Sequence, residues 1–186
     1  MGGLLTGCAF SRTPVKVGFT PRVDQPLAAA RKAALEVGPV KDSRLVLDQY
    51  VLIQKANAYG TTSGAYVTEK PVAEIFRDGL TAALQQNGFE TANTNRYVLR
   101  SDLQNFGLGA IQNVFSPATI KSWLTVRFEL VDQTTLQPVW HETYEGQDTT
   151  QASWETGEFI AQEFSKVADV VVSQLISDRS FRAFFE

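Results

Sequence analysis

The sequence predicts an α+β domain, a small and mainly antiparallel sheet with two amphipathic helices packed on one face. Residues 123–132, WLTVRFELVD, alternate Leu124, Val126, Phe128 and Leu130 with Thr125, Arg127 and Glu129. That period of two marks a strand with one buried face. Residues 71–86 set Val72, Ile75, Phe76, Leu80, Ala83 and Leu84 at helical spacing. Residues 157–178 do the same with Phe159, Ile160, Phe164, Val167, Val171 and Leu175, and Gln174 completes the stripe. The run of short strands, helix, hairpin and long helix leaves one layer of helices over one layer of strands.

Each element has its own signal. Residues 9–33 carry several prolines and little periodicity, so they read as a tether, with a short extended piece at Val15 to Phe19. Within them LAAARKAAL, residues 27–35, has the propensity for one short helix that Asp24 and Pro26 can start. LEVGPVKDSR, residues 35–44, reads as the first sheet strand with a turn at Asp42 and Ser43. Residues 45–53 are apolar but too irregular to assign. The polar stretch to residue 70, rich in Gly, Thr and Ser, reads as an exposed loop or hairpin.

Pro71 then stands at the first helical position and Asn87-Gly88 supplies the stop. Gly79 inside the helix suits a close approach to the sheet. Phe89 starts a short strand and residues 97–103 form another. After residues 123–132 comes a turn over residues 132–137, and PVWHETYEG returns as the hairpin partner. Pro138 sits at the strand start, where a missing N–H is tolerated. The tail carries Phe181, Phe184 and Phe185, too apolar to hang in water, so it packs back or meets a partner. The folded body is therefore expected over residues 34–186 as one domain.

Composition removes whole classes of chemistry. The 186 residues hold 17 Lys and Arg against 20 Asp and Glu, one His and one Cys, for a net charge of −3. The slight acidity argues against nucleic acid as a partner. One Cys and one His leave no disulfide framework and no multi-Cys or paired-His metal site. Ser63 beside Gly64 lacks the Gly-x-Ser-x-Gly of a nucleophile elbow. His141 lies on a strand surface between Trp140 and Glu142. Glu142 and Glu145, three apart on a strand, face opposite sides. We therefore expect no catalytic residue, no cofactor and no metal, and a protein that is not an enzyme.

The single cysteine has the most telling address. The chain opens MGGLLTGCAF, and Leu5-Thr6-Gly7-Cys8 resembles a bacterial lipobox, whose cysteine is diacylated and becomes the mature N-terminus. Residues 1–8 then read as the remnant of a lipoprotein signal peptide. Ala9, in place of an aspartate, favours the outer membrane, with the domain facing the periplasm.

The LTGC motif, the VGPVKDSR strand, the YGTTSG loop, the helix ending in NGF and the closing helix with DRSFRAFF together resemble the YajG-type family of bacterial lipoproteins. That resemblance implies an envelope location and an α+β fold, and it brings no activity or cofactor with it. The expected role is a lipid-anchored accessory module, tied to the membrane by its lipid, that binds an envelope protein or the cell wall. Lipoprotein activators of peptidoglycan synthases and auxiliary lipoproteins of envelope transporters are the alternative homes for such a module. A surface without reactive groups acts by presenting contact area. The candidate contacts are Tyr59, Ser63 and Tyr66 in the loop, where the alternative is that both tyrosines pin the loop against the sheet, or Phe181, Phe184 and Phe185 in the tail.

Overall fold

The computed structural model describes residues 10–19, 33–46, 48–56, 61–91, 96–111, 118–152 and 156–185. Its elements run β1 (Ser11–Pro14), β2 (Ala33–Ala34), β3 (Glu36–Asp42), β4 (Val51–Ala56), β5 (Thr62–Val67), α1 (Val72–Gln86), β6 (Phe89–Glu90), β7 (Tyr97–Ile111), β8 (Ala118–Asp132), β9 (Gln137–Ala152), α2 (Gly157–Ser177) and α3 (Arg179–Arg182). The main sheet has the order β3-β7-β8-β9. β3 lies parallel to β7, and the two other pairings are antiparallel. A second sheet, β1-β5-β4, joins parallel β1 to the β4–β5 hairpin, and β2 pairs with β6. The fold is α+β with mostly antiparallel sheets, as the sequence predicts.

The alternation in β8 sets the layers. Leu124, Val126, Phe128 and Leu130 are fully buried, while Arg127 on the other side is exposed. Against that apolar row pack Phe76 of α1 and Phe164 of α2, both fully buried. Ring centroids lie 6.3 Å apart for Phe76 and Phe128, and 6.0 Å for Phe128 and Tyr144, within the range of aromatic pairing. Phe106 of β7 meets Phe164 edge-on at 5.1 Å. Both long helices thus share one core on one side of the main sheet.

Helix ends follow local chemistry. Pro71 caps α1 without a side-chain hydrogen bond, and Val72 N donates instead to Gln49 O at 3.0 Å. The helix stops at Asn87, followed by Gly88 in the left-handed region with φ 89°. Thr156 caps α2 by accepting from Phe159 N at 3.1 Å.

Several readings change. Residues 11–19 belong to the folded body rather than a tether: β1 adds a strand to β5, and Val15 and Phe19 are buried. Gly79 is approached by the Phe19 ring and not by the sheet, and a Cβ there would strike that ring. Of the helix expected over residues 27–35, Ala33–Ala34 is strand and the residues up to 32 lie outside the described ones. The unassigned residues 45–53 supply the start of β4, and the polar stretch after them takes the hairpin reading, β5 pairing antiparallel with β4. β7 is also longer than the expected 97–103, continuing past a bulge between Leu103 and Asn105 to Ile111.

Replacing Phe128 with Asp buries an unpaired carboxylate among these rings and should cost about 4 kcal/mol or more. Arg127→Ala, on the open side, should cost under about 1 kcal/mol. Urea unfolding midpoints separate the two outcomes, and equal midpoints would mean the strand faces are reversed.

Candidate functional site: the open face of the main sheet

The helices cover one face of β3-β7-β8-β9, and its outward face is built by strand register. Arg100 of β7 stands opposite Glu129 of β8, and Asp102 opposite Arg127. Lys41 of β3 lies beside Asp102. Across β8, His141 and Thr143 of β9 stand opposite Glu129 and Arg127. The face therefore carries both charge signs in alternation. Lys41 Nζ is 3.9 Å from Asp102, and Arg127 is 3.7 Å from Glu129. Both contacts are long and their cations lie in solvent, so each is worth little to stability. Arg100 has no carboxylate partner among the described residues. The side chains ring a hollow of about 420 Å³ walled by Pro39 and Val40, next to the irregular pairing between Val37 and Val40.

Further along the same face the Trp123 indole lies across Gly107, where a Cβ would collide with it. Glycine at that position lets a half-buried aromatic ring rest flat on the backbone. Cations, acids and an indole on a rigid sheet suit recognition of another macromolecule. Among the described residues no three His, Cys, Asp or Glu side chains gather for a metal ion, and no helix is long and apolar enough to cross a membrane.

The contacts expected from sequence fall in two separate places. Cys8 and Tyr59 lie outside the described residues. Ser63 is exposed in β5, its hydroxyl 3.5 Å from the Lys55 carbonyl. Tyr66 is 8% exposed, part of the core, with the Lys55 ammonium 4.2 Å above its ring. Phe181 is fully buried and Phe185 9% exposed. Both meet Phe89, at 5.8 and 5.3 Å, while half-buried Phe184 meets Tyr97 at 6.0 Å. For Tyr66, Phe181 and Phe185 the expectation of a contact surface is corrected: burial makes them packing residues. The tail packs back, as one of its two readings had it.

Asp178 fastens that tail. It accepts from Ser180 N at 2.6 Å, Phe181 N at 3.0 Å and Tyr144 Oη at 2.5 Å, tying α3 to β9. Burial raises the Asp178 pKa, but these hydrogen bonds outweigh it and hold the carboxyl below the usual aspartate range. Burial and the same carboxylate push the Tyr144 phenol well up.

Two charged residues escaped the sequence reading. Glu163, fully buried on α2, accepts from Ser122 Oγ at 2.8 Å, Thr150 Oγ1 at 3.1 Å and Lys166 Nζ at 2.7 Å. Lys166 also reaches Asp148 at 3.1 Å. Burial works against the Lys166 charge, yet the two carboxylates prevail and hold its pKa above the ordinary lysine value. A glutamate inside the apolar stripe, three residues after Ile160 and four before Val167, was the available signal. The second is Arg44, considered below.

No family model and no curated protein matches this chain. Solved structures do. A Xanthomonas campestris protein of the DUF330 family superposes at TM-score 0.61, with 15% identity over 89% of this chain and 92% of its own. The PelC dodecamer from Paraburkholderia phytofirmans gives 0.46, with 17% identity over 85% and 96%. A minor lipoprotein from Acinetobacter baumannii gives 0.40, with 18% identity over 84% and 92%. The first of these establishes a shared fold.

Glu163→Ala strands the buried Ser122 hydroxyl and removes one of the two carboxylates that hold Lys166. It should cost about 2–3 kcal/mol, read as a lower urea midpoint with unchanged slope. The lowered Asp178 pKa sets a pH dependence. Its contribution is present above about pH 4 and is lost as pH falls through the folded-state pKa. The melting temperature should therefore drop on acidification below about pH 4, and Asp178→Asn should flatten that drop. An unaltered slope in the variant would remove Asp178 from the account.

Proposed function

We propose that this chain is a lipid-anchored accessory module of the bacterial cell envelope. Cys8 holds it to the outer membrane on the periplasmic side, and it binds an envelope protein or the cell wall without catalysing a reaction. The observation that carries the binding role is the one-sided main sheet. Its outward face sets Lys41, Arg100 and Arg127 among Asp102 and Glu129, with Trp123 beside them, and no element of the described chain covers it. The LTGC motif at residues 5–8 supports the anchor, as does the resemblance to YajG-type lipoproteins.

The test has two arms. Precursor with a full signal peptide, grown with radiolabelled palmitate, should label in wild type and lose the label in Cys8→Ser. Equal labelling would end the anchor reading. A photo-crosslinker at Thr125, on the open face, should give a discrete envelope adduct that Arg100→Glu with Arg127→Glu abolishes at unchanged melting temperature. An adduct indifferent to those charges would place the contact elsewhere.

A further inference from the structure

The β3–β4 loop is built around an arginine that a loop of ordinary purpose would not bury. Arg44 has a side chain only 2% exposed and grips Asp42 with two hydrogen bonds, Nε at 2.8 Å and Nη2 at 2.6 Å. Its remaining donors reach the carbonyls of Leu52 at 3.0 Å and Val51 at 3.2 Å. Burying a guanidinium demands such saturation, and once met it fixes both feet of the loop in one geometry. Backbone bonds finish the job: Ser43 N to Leu103 O at 2.8 Å, and Val72 N to Gln49 O at 3.0 Å. The next residue outward is Leu45, 99% exposed.

A lone exposed leucine carries little meaning. Its address gives this one meaning. Asp48 of the same loop is ion-paired with Arg12 of β1 at 2.9 Å. Arg12 stands four residues after Cys8, a separation that covalent geometry limits to about 14 Å. Phe10, between the two, is 44% exposed, and Tyr50 at the loop's far foot is 37% exposed. Solvent-facing apolar side chains therefore sit around the Arg12–Asp48 pair, which the chain keeps within about 14 Å of Cys8, beside a strand end that Arg44 fastens.

We propose that the Leu45 tip enters the lipid surface, a second and non-covalent membrane contact that fixes how the domain stands on the bilayer. The inference rests on the anchor at Cys8 proposed above. An apolar tip of this kind reaches the headgroup–acyl boundary, and a single lipid chain leaves orientation open that such a contact closes.

The experiment uses acylated full chain carrying Leu45→Trp or, as control, Leu136→Trp. Leu136 is 74% exposed on the β8–β9 turn, at the end of the sheet where Tyr97 pairs with Asp132, whereas the β3–β4 loop leaves β3 beside Leu103. Each is reconstituted into vesicles of phosphatidylethanolamine and phosphatidylglycerol, with and without bromine on the acyl chains. The emission added by the new tryptophan should fall roughly twofold with brominated lipid for position 45 and stay unchanged for position 136. Flotation with the vesicles reports the anchor separately. Flotation with no quenching at position 45 overturns the inference and leaves the anchor standing. Absence of both palmitate and flotation overturns the two together. A protein adduct from a photo-crosslinker at position 45, without quenching, would assign the tip to a protein instead.

Discussion

Phe128, wedged between Phe76 of α1 and Tyr144 of β9, stands in the row on which the remaining layers are arranged. Leu124, Val126 and Leu130 extend that row along β8, which pairs with β7 on one side and β9 on the other. Because side chains alternate strictly, a slip of one residue in either pairing would send the apolar row to water and Arg127 and Glu129 into the helices. Register is thus specified by hydrophobic burial, and the outward face inherits its charge pattern from the same constraint. The site and the core are two sides of one strand.

What the sequence made legible was local. The alternation in residues 123–132, the proline before α1 and the Asn-Gly after it all act within a few residues, and each element formed where its signal stood. Membership of β1 in the fold is a non-local event: Ser11 pairs with Gly64, and nothing near Ser11 announces a partner so distant. The Phe19 contact on Gly79 has the same character. Tyr66 and Phe181 stayed open between contact and packing because burial by distant elements cannot be seen in a short window. The open face itself was half legible, since Arg127 and Glu129 were assigned outward, while Arg100 and Lys41 joined them only through strand pairing.

Two buried ionic side chains divide the work of precision between them. Glu163 fixes α2 against β8 and β9, and Arg44 fixes the start of the β3–β4 loop. Replacing either set of partners whole by well-packed apolar groups would cost little stability, because desolvation consumes most of the Coulomb attraction, whereas removing one partner alone is costly. Each instead allows few arrangements, since every unmet hydrogen bond would be expensive. α2 is thereby held to the sheet at Ser122 and Thr150, and the end of β3 to the β4 carbonyls of Val51 and Leu52.

The corrected start of the domain narrows what the open face can meet. With the whole of residues 9–33 as a tether, the body would sample a wide shell of periplasm. With β1 beginning at Ser11, only two residues, Ala9 and Phe10, separate the first strand position from Cys8, a span of about 10 Å at full extension. Under the proposed lipid anchor at Cys8, the domain would be held against the bilayer, and a partner would have to come to the membrane surface to be bound. Such a short link raises the local concentration of the module for membrane-proximal partners and removes distant ones from reach. Under that anchor, a fixed sheet face on a short leash would select for partners that are themselves embedded in or lying on the membrane.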